Sequence, residues 1–346
     1  METEVYRFQV GDFACIAVKD GTFVYPDQSF FTNAPRERLE HVLRQHNIRT
    51  TGEITVPWTC LLIETGKKRI LVDTGAGAGS VPSAGRLLQN LFAQGIRPFD
   101  IDAVILTHGH PDHIGGNTAA KGVPAFPNAR YLMWKDEWEF WTSEPDLTPL
   151  KVDEKIRQLM RTFARRNLPP VRHQAELVDH ETEVLPGIGL VAAPGHTPGH
   201  VAVAVSSGRK GLLYISDTVL HPIHLEHLDW YPVFDLAIEE AISTRRRLLN
   251  WIVGEKMLVM ASHFPFPGLG HVIRKGEAWR WQPIDTNTWP ASSALSSLEP
   301  ACQWCRMESR CSWRKERCKT LVIFIRDILG DGCRRNGNDP DSCAWR

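Results

Sequence analysis

Thr107-His108-Gly109-His110-Pro111-Asp112-His113-Ile114-Gly115-Gly116 places three imidazoles and a carboxylate within six residues. The stretch continues Ala103-Val104-Ile105-Leu106-Thr107, which reads as a short apolar strand. Neutral imidazole and carboxylate are the ligands that borderline cations such as Zn²⁺ prefer. Two residues apart on an extended loop, His108 and His110 can aim at one ion, while Asp112 and His113 project toward a second. One ion cannot take all four and keep a position open for substrate, so the count predicts two metals. Without a cation to satisfy them, so many polar groups behind a buried strand would be costly.

Outward from this loop, the first 285 residues read as alternating strands and helices. Residues 13–18 and 23–25 flank Asp20-Gly21 and predict an N-terminal hairpin. Residues 59–64 and 69–73, around Gly66-Lys67-Lys68, predict a second. A strand at 129–134 precedes a helix near 136–141, and a charged linker over 150–167 has helical spacing. Strands return at 190–193, 201–205 and 212–216. An amphipathic helix over 236–252 leads into 257–261, read as the last core strand. His196, Asp217 and His263 each follow an apolar strand. That is the usual place for the reactive groups of an α/β protein.

The order HxHxDH, then a His, an Asp and a final His, resembles the metallo-β-lactamase superfamily. Leu71-Val72-Asp73-Thr74-Gly75 matches a strand end that its members usually carry. The resemblance spans about residues 8–285 and implies an α/β fold, a four-layer αββα sandwich with the metals at one edge of the paired sheets. It implies that His108, His110 and His196 bind one ion, that Asp112, His113 and His263 bind the other, and that Asp217 bridges both. Two Zn²⁺, or other divalent transition-metal ions, are the expected cofactors. A hydroxide shared by them would attack a carbonyl carbon or phosphorus, with Asp112 passing a proton to the leaving group. Asp73 either orients a ligand or caps a turn.

Departures from the pattern narrow the expectation. Asp217 differs from the ligand arrangement of class B β-lactamases, and His110, in place of Glu, from the diiron redox flavoproteins. Segments 217–224 and 263–271 resemble the branch containing methyl parathion hydrolase and related lactonases. The expected substrates are lactones, carboxylic esters or organophosphate triesters, with thioester hydrolysis of the glyoxalase II kind as the alternative. Many N-acyl-homoserine lactonases carry a Tyr three residues after the bridging Asp; Leu220 stands there in this chain. His200, His221, His224 and His227 read as supporting or surface residues rather than ligands. Phe264, Phe266 and Leu269 either wall a pocket or pack the core, and Trp134, Trp138 and Trp141 read as packing. Phe30, Phe31 and the segment to Thr50 form either a lid or a dimer contact.

Forty basic and forty acidic side chains leave a formal net charge of zero, which argues against a nucleic-acid or anionic-membrane partner. No run approaches the ~20 apolar residues of a membrane span. The N-terminus lacks the apolar run of a signal peptide. A small-molecule substrate and a cytoplasmic address are expected, and a homodimer is compatible with the sequence. Six of the eight cysteines crowd the last 45 residues. The expected division is a hydrolase domain over 1–285 and a poorly ordered, Cys-rich extension over 286–346. Within it, Cys302, Cys305, Cys311 and Cys318 match no metal motif in spacing.

Overall fold

The computed structural model describes residues 4–119 and 122–286. The Cys-rich extension, including Cys302, Cys305, Cys311 and Cys318, lies outside the described residues. The first of two seven-stranded sheets holds, in spatial order, β1 (Val5–Val10), β2 (Phe13–Pro26), β3 (Glu53–Glu64), β4 (Arg69–Val72), β5 (Ala103–Leu106), β6 (Arg130–Trp134) and β7 (Ala175–Val178). The second holds β8 (Thr182–Leu185), β9 (Ile188–Ala192), β10 (Val201–Ser207), β11 (Lys210–Tyr214), β12 (Leu258–Met260), β13 (Leu269–Lys275) and β14 (Ala278–Pro283), again ordered by sequence. Pairing is parallel from β4 through β7 and between β11 and β12, and antiparallel elsewhere.

The strand alternation explains the layering. In β5, Ala103 and Ile105 face the second sheet, whereas Val104 and Leu106 face the outer helices. Val201, Val203, Leu212 and Tyr214 complete the inter-sheet core from the other side. Helices Leu87–Ala93, Lys135–Thr142 and Glu154–Asn167 cover the outer face of the first sheet, and Ile238–Glu255 covers that of the second. This is the expected αββα sandwich. Each fully buried Leu or Ile in these layers contributes ~1.5–3 kcal/mol.

Three local expectations are corrected. Residues 13–25 form no hairpin: β2 runs continuously from Phe13 to Pro26 along β3, with a register shift between Lys19 and Gly21. The Asp20 carboxylate, buried at this bulge, accepts from the backbone N–H groups of Ala76, Gly85 and Leu87. A Cβ on Gly21 would lie 2.3 Å from Ala84 Cα, so close approach requires glycine there. The 150–167 segment is no linker: Asp153 caps a helix from Glu154 to Asn167 that buries Met160 and Ala164. Residues 257–261 are not the last core strand, because β13 and β14 extend the second sheet.

At one edge the sheets are joined by backbone bonds, Thr59 N–H to Ser262 O at 3.1 Å and Val201 N–H to Thr107 O at 3.0 Å. Loops following β4, β5, β9, β11 and β12 emerge here. Among the described residues, no helix is long and apolar enough to cross a membrane. Cys15 and Cys60 are buried free thiols.

Candidate metal centre

The loops at this edge bring together all seven side chains singled out in the sequence. Ligand atoms of His108, His110, His196 and Asp217 lie within 4.8 Å of one another, as do those of Asp112, His113 and His263. The Asp217 carboxylate touches both groups. It lies 3.4 Å from His196 Nε2 and 3.7 Å from His108 Nε2, and equally close, 3.3 and 3.2 Å, to the Nε2 atoms of His113 and His263.

The outer nitrogens of these rings are engaged, which fixes where the lone pairs point. His113 Nδ1 donates to Asp73 Oδ2 at 2.8 Å, His196 Nδ1 to Asp235 Oδ1 at 2.9 Å and His263 Nδ1 to Pro57 O at 3.0 Å. The Thr107 hydroxyl gives its one proton to Asp73 and so accepts from His108 Nδ1 at 3.1 Å. Facing inward, His108 Nε2, His113 Nε2 and Asp217 Oδ1 are buried with no hydrogen-bond partner among the described residues. Converging acceptors of this kind cost free energy unless a cation satisfies them. Nitrogen and carboxylate donors in two adjoining sets fit divalent metal ions.

The same crowding splits the imidazoles. Burial, reinforced by neighbouring imidazoles, pushes His108 and His110 well below their ordinary value. Burial also opposes charge on His113 and His196, but Asp217 with Asp73 raises the first, and Asp217 with Asp235 holds the second at about 9. For Asp217, the cost of burying its charge is outweighed by His263 and His113, which keep it ionised.

A family model for the Metallo-beta-lactamase superfamily matches residues 56–251, more than half of the chain. The chain belongs to that superfamily. It is a metal-dependent hydrolase. It is similar to an N-acyl homoserine lactonase of Bacillus sp., 27% identical over 255 residues that cover 68% of this chain and 92% of the relative. Among solved structures it is similar to AidC, a dizinc quorum-quenching lactonase in complex with a product, N-hexnoyl-L-homoserine. That match has a TM-score of 0.77 and 28% identity and covers 81% of this chain and 97% of AidC. It is also similar to AbOPH, a hydrolase in the beta lactamase superfamily, with a TM-score of 0.75, 25% identity and coverage of 82% and 99%.

The hydrolase holds its cluster with residues that sequence reading missed. Glu137 has no exposed surface and accepts from Gly109 N–H at 2.8 Å, Gly199 N–H at 2.8 Å and Trp141 Nε1–H at 2.7 Å. One carboxylate thereby ties the loop of His108 and His110 to the loop of His196. Asp235 bridges His196 to Arg245, whose Nη2 lies 2.5 Å from Asp235 Oδ2 with both side chains fully buried. Asp73, at φ 62°, does orient a cluster residue, since it receives the bonds from Thr107 and His113.

The other candidates divide. His200 spans two loops: Nδ1 donates to Ala193 O and Nε2 accepts from Asp217 N–H, and burial with His196 nearby pushes it down to about 3. His224 donates Nε2–H to Phe30 O, and His227 stacks on Trp230. Trp138 and Trp141 are buried, as expected of packing, and the Trp141 ring also meets His110 edge-on. Phe264 and Leu269 are core residues; Phe266 alone of that trio lines a cavity. Phe30 and Phe31 are buried in a cluster with Leu220, Ile223 and Trp230.

Asp235→Asn is expected to keep the fold but lower metal affinity or activity roughly 10–100-fold, because the ring of His196 loses its charged acceptor. Chelator competition and steady-state kinetics measure it; an affinity and rate equal to wild type would show that Asp235 only packs Arg245.

Proposed function

We propose that this hydrolase opens the ester ring of lactones, with N-acyl homoserine lactones as its substrate class, using two Zn²⁺ ions. The observation that carries the reading is Asp217, whose carboxylate meets imidazoles of both donor sets, one of which borders an open cavity through His263. The similarity to homoserine lactonases supports the choice of substrate. In this reading His108, His110 and His196 hold one ion, Asp112, His113 and His263 the other, and Asp217 both. When bound, the two cations supply Lewis acidity and a water activated near neutral pH.

The chain's own residues do the rest. A cavity of about 440 Å³ opens beside His263 and is walled by Pro57, Pro265 and Phe266 as well as Lys19 and Thr55. Its apolar side suits an acyl chain, and His263 on its wall links it to the donor sets. Asp112 is the most accessible of the seven residues, its side chain 15% exposed, with Oδ2 3.5 Å from His263 Nε2. It takes the proton given up by the attacking water and passes it to the alkoxide released when the ring C–O bond breaks. We assign this activity to the domain over residues 1–285.

Purified protein supplied with Zn²⁺ should show its highest kcat/KM on N-hexanoyl- and N-decanoyl-homoserine lactone and yield the ring-opened acid. The comparison set is an aryl ester, a phosphotriester and S-lactoylglutathione. A higher kcat/KM on any of these would replace the lactone assignment with that bond class.

A further inference from the structure

We infer that His221 is a hydrogen-bond donor to the carbonyl oxygen of the substrate, a role that rests on the lactonase reading above. The chain path after Asp217 supplies the geometry. Ser216–Thr218 is a single 3₁₀ turn, after which Leu220 turns into the apolar cluster of Phe30, Phe31 and Ile223 and is lost to the site. The next residue, His221, lines the cavity together with the cluster residue His263. The side chain that this turn presents to the cavity is therefore the imidazole of His221.

That imidazole is held in one orientation and one tautomer. Ile223 N–H donates to His221 Nδ1 at 3.2 Å at the start of the Ile223–Glu226 turn, so the ring proton sits on Nε2. The Phe31 ring meets it edge-on at 5.5 Å and fixes its plane. Nε2 has no hydrogen-bond partner among the described residues. Burial, with His224 and His46 nearby, pushes the group well below its ordinary value, which keeps it neutral. A neutral, oriented N–H at the wall of a cavity beside a metal cluster is placed to stabilise charge developing on a carbonyl oxygen.

The test compares two nearly isosteric, unbranched replacements, His221→Gln, which keeps an N–H donor, and His221→Met, which does not. Zinc content and melting temperature are measured for both, and kcat/KM on N-hexanoyl-homoserine lactone is compared with wild type. His221→Met should fall on the order of a hundredfold, with zinc content unchanged, while His221→Gln stays within about tenfold of wild type. Equal kcat/KM for the two variants, whether high or low, would overturn the donor role, as would zinc loss confined to His221→Met. A wild-type protein inactive on every lactone would sink the lactonase reading, and the donor role with it; an active wild type with an active His221→Met sinks only the donor role.

Discussion

Asp217→Ala is expected to abolish hydrolysis while leaving the sandwich folded. Its carboxylate lies within 4 Å of imidazole nitrogens from both donor sets. Removing it takes a shared ligand from the centre and leaves the Asp112 carboxylate, 3.7 Å from His113 Nε2 and 3.5 Å from His263 Nε2, to face the imidazoles. Lewis-acid and water activation are together worth several kcal/mol, and about 1.4 kcal/mol corresponds to a tenfold change in rate. A fall in kcat/KM on the order of a thousandfold or more is therefore expected, with bound metal reduced and far-ultraviolet circular dichroism close to wild type. Full activity with metal retained would remove Asp217 from the chemistry.

The second large effect is expected from Glu137→Ala, and it falls on stability as well as activity. The carboxylate satisfies three buried donors, those of Gly109, Gly199 and Trp141. Each orphaned donor costs ~1–3 kcal/mol, so a loss of roughly 3 kcal/mol or more follows. At about 2–4 °C per kcal/mol for a domain of this size, the melting temperature should drop by roughly 6 °C or more. The two ligand loops lose their common anchor, so metal should be lost at lower chelator concentration as well. Gly109 leaves little slack, since a Cβ there would lie 2.2 Å from Trp141 Cδ1. Thermal melts with and without chelator read both effects. An unchanged melting temperature would mean that the loops hold themselves.

What the sequence discloses of this site depends on how local the signal is. His108 to His113 are contiguous, so their density alone announces a metal loop. His196, Asp217 and His263 are separated by whole strands and helices, yet each follows an apolar run, and β9, β11 and β12 do deliver them to one edge. Glu137 and Asp235 carried no such mark. Lys135-Asp136-Glu137 reads as the exposed first turn of a helix, and only the packing of Lys135–Thr142 onto the ligand loops buries Glu137. Asp235 and Arg245 are an ordinary acid and base until the tertiary structure pairs them under His196.

The fold errors have similar causes. Asp20-Gly21 has the composition of a hairpin turn, but a twelve-residue partner, β3, holds β2 in one piece and turns the pair into a bulge. Strands β13 and β14 leave Arg274, Lys275 and Arg280 exposed, so the apolar alternation that marks a core strand is faint there. Leu220 and His221 show the limit most clearly. The motif locates the segment, and only the backbone path decides which of two neighbouring side chains meets the cavity.

We propose that seven side chains build two adjoining cation sites that share Asp217. Elemental analysis of the intact protein after zinc loading and removal of free metal tests it most directly. Two equivalents of zinc per chain are expected in wild type and fewer in Asp217→Ala. One equivalent or none in the zinc-loaded wild type would contradict it.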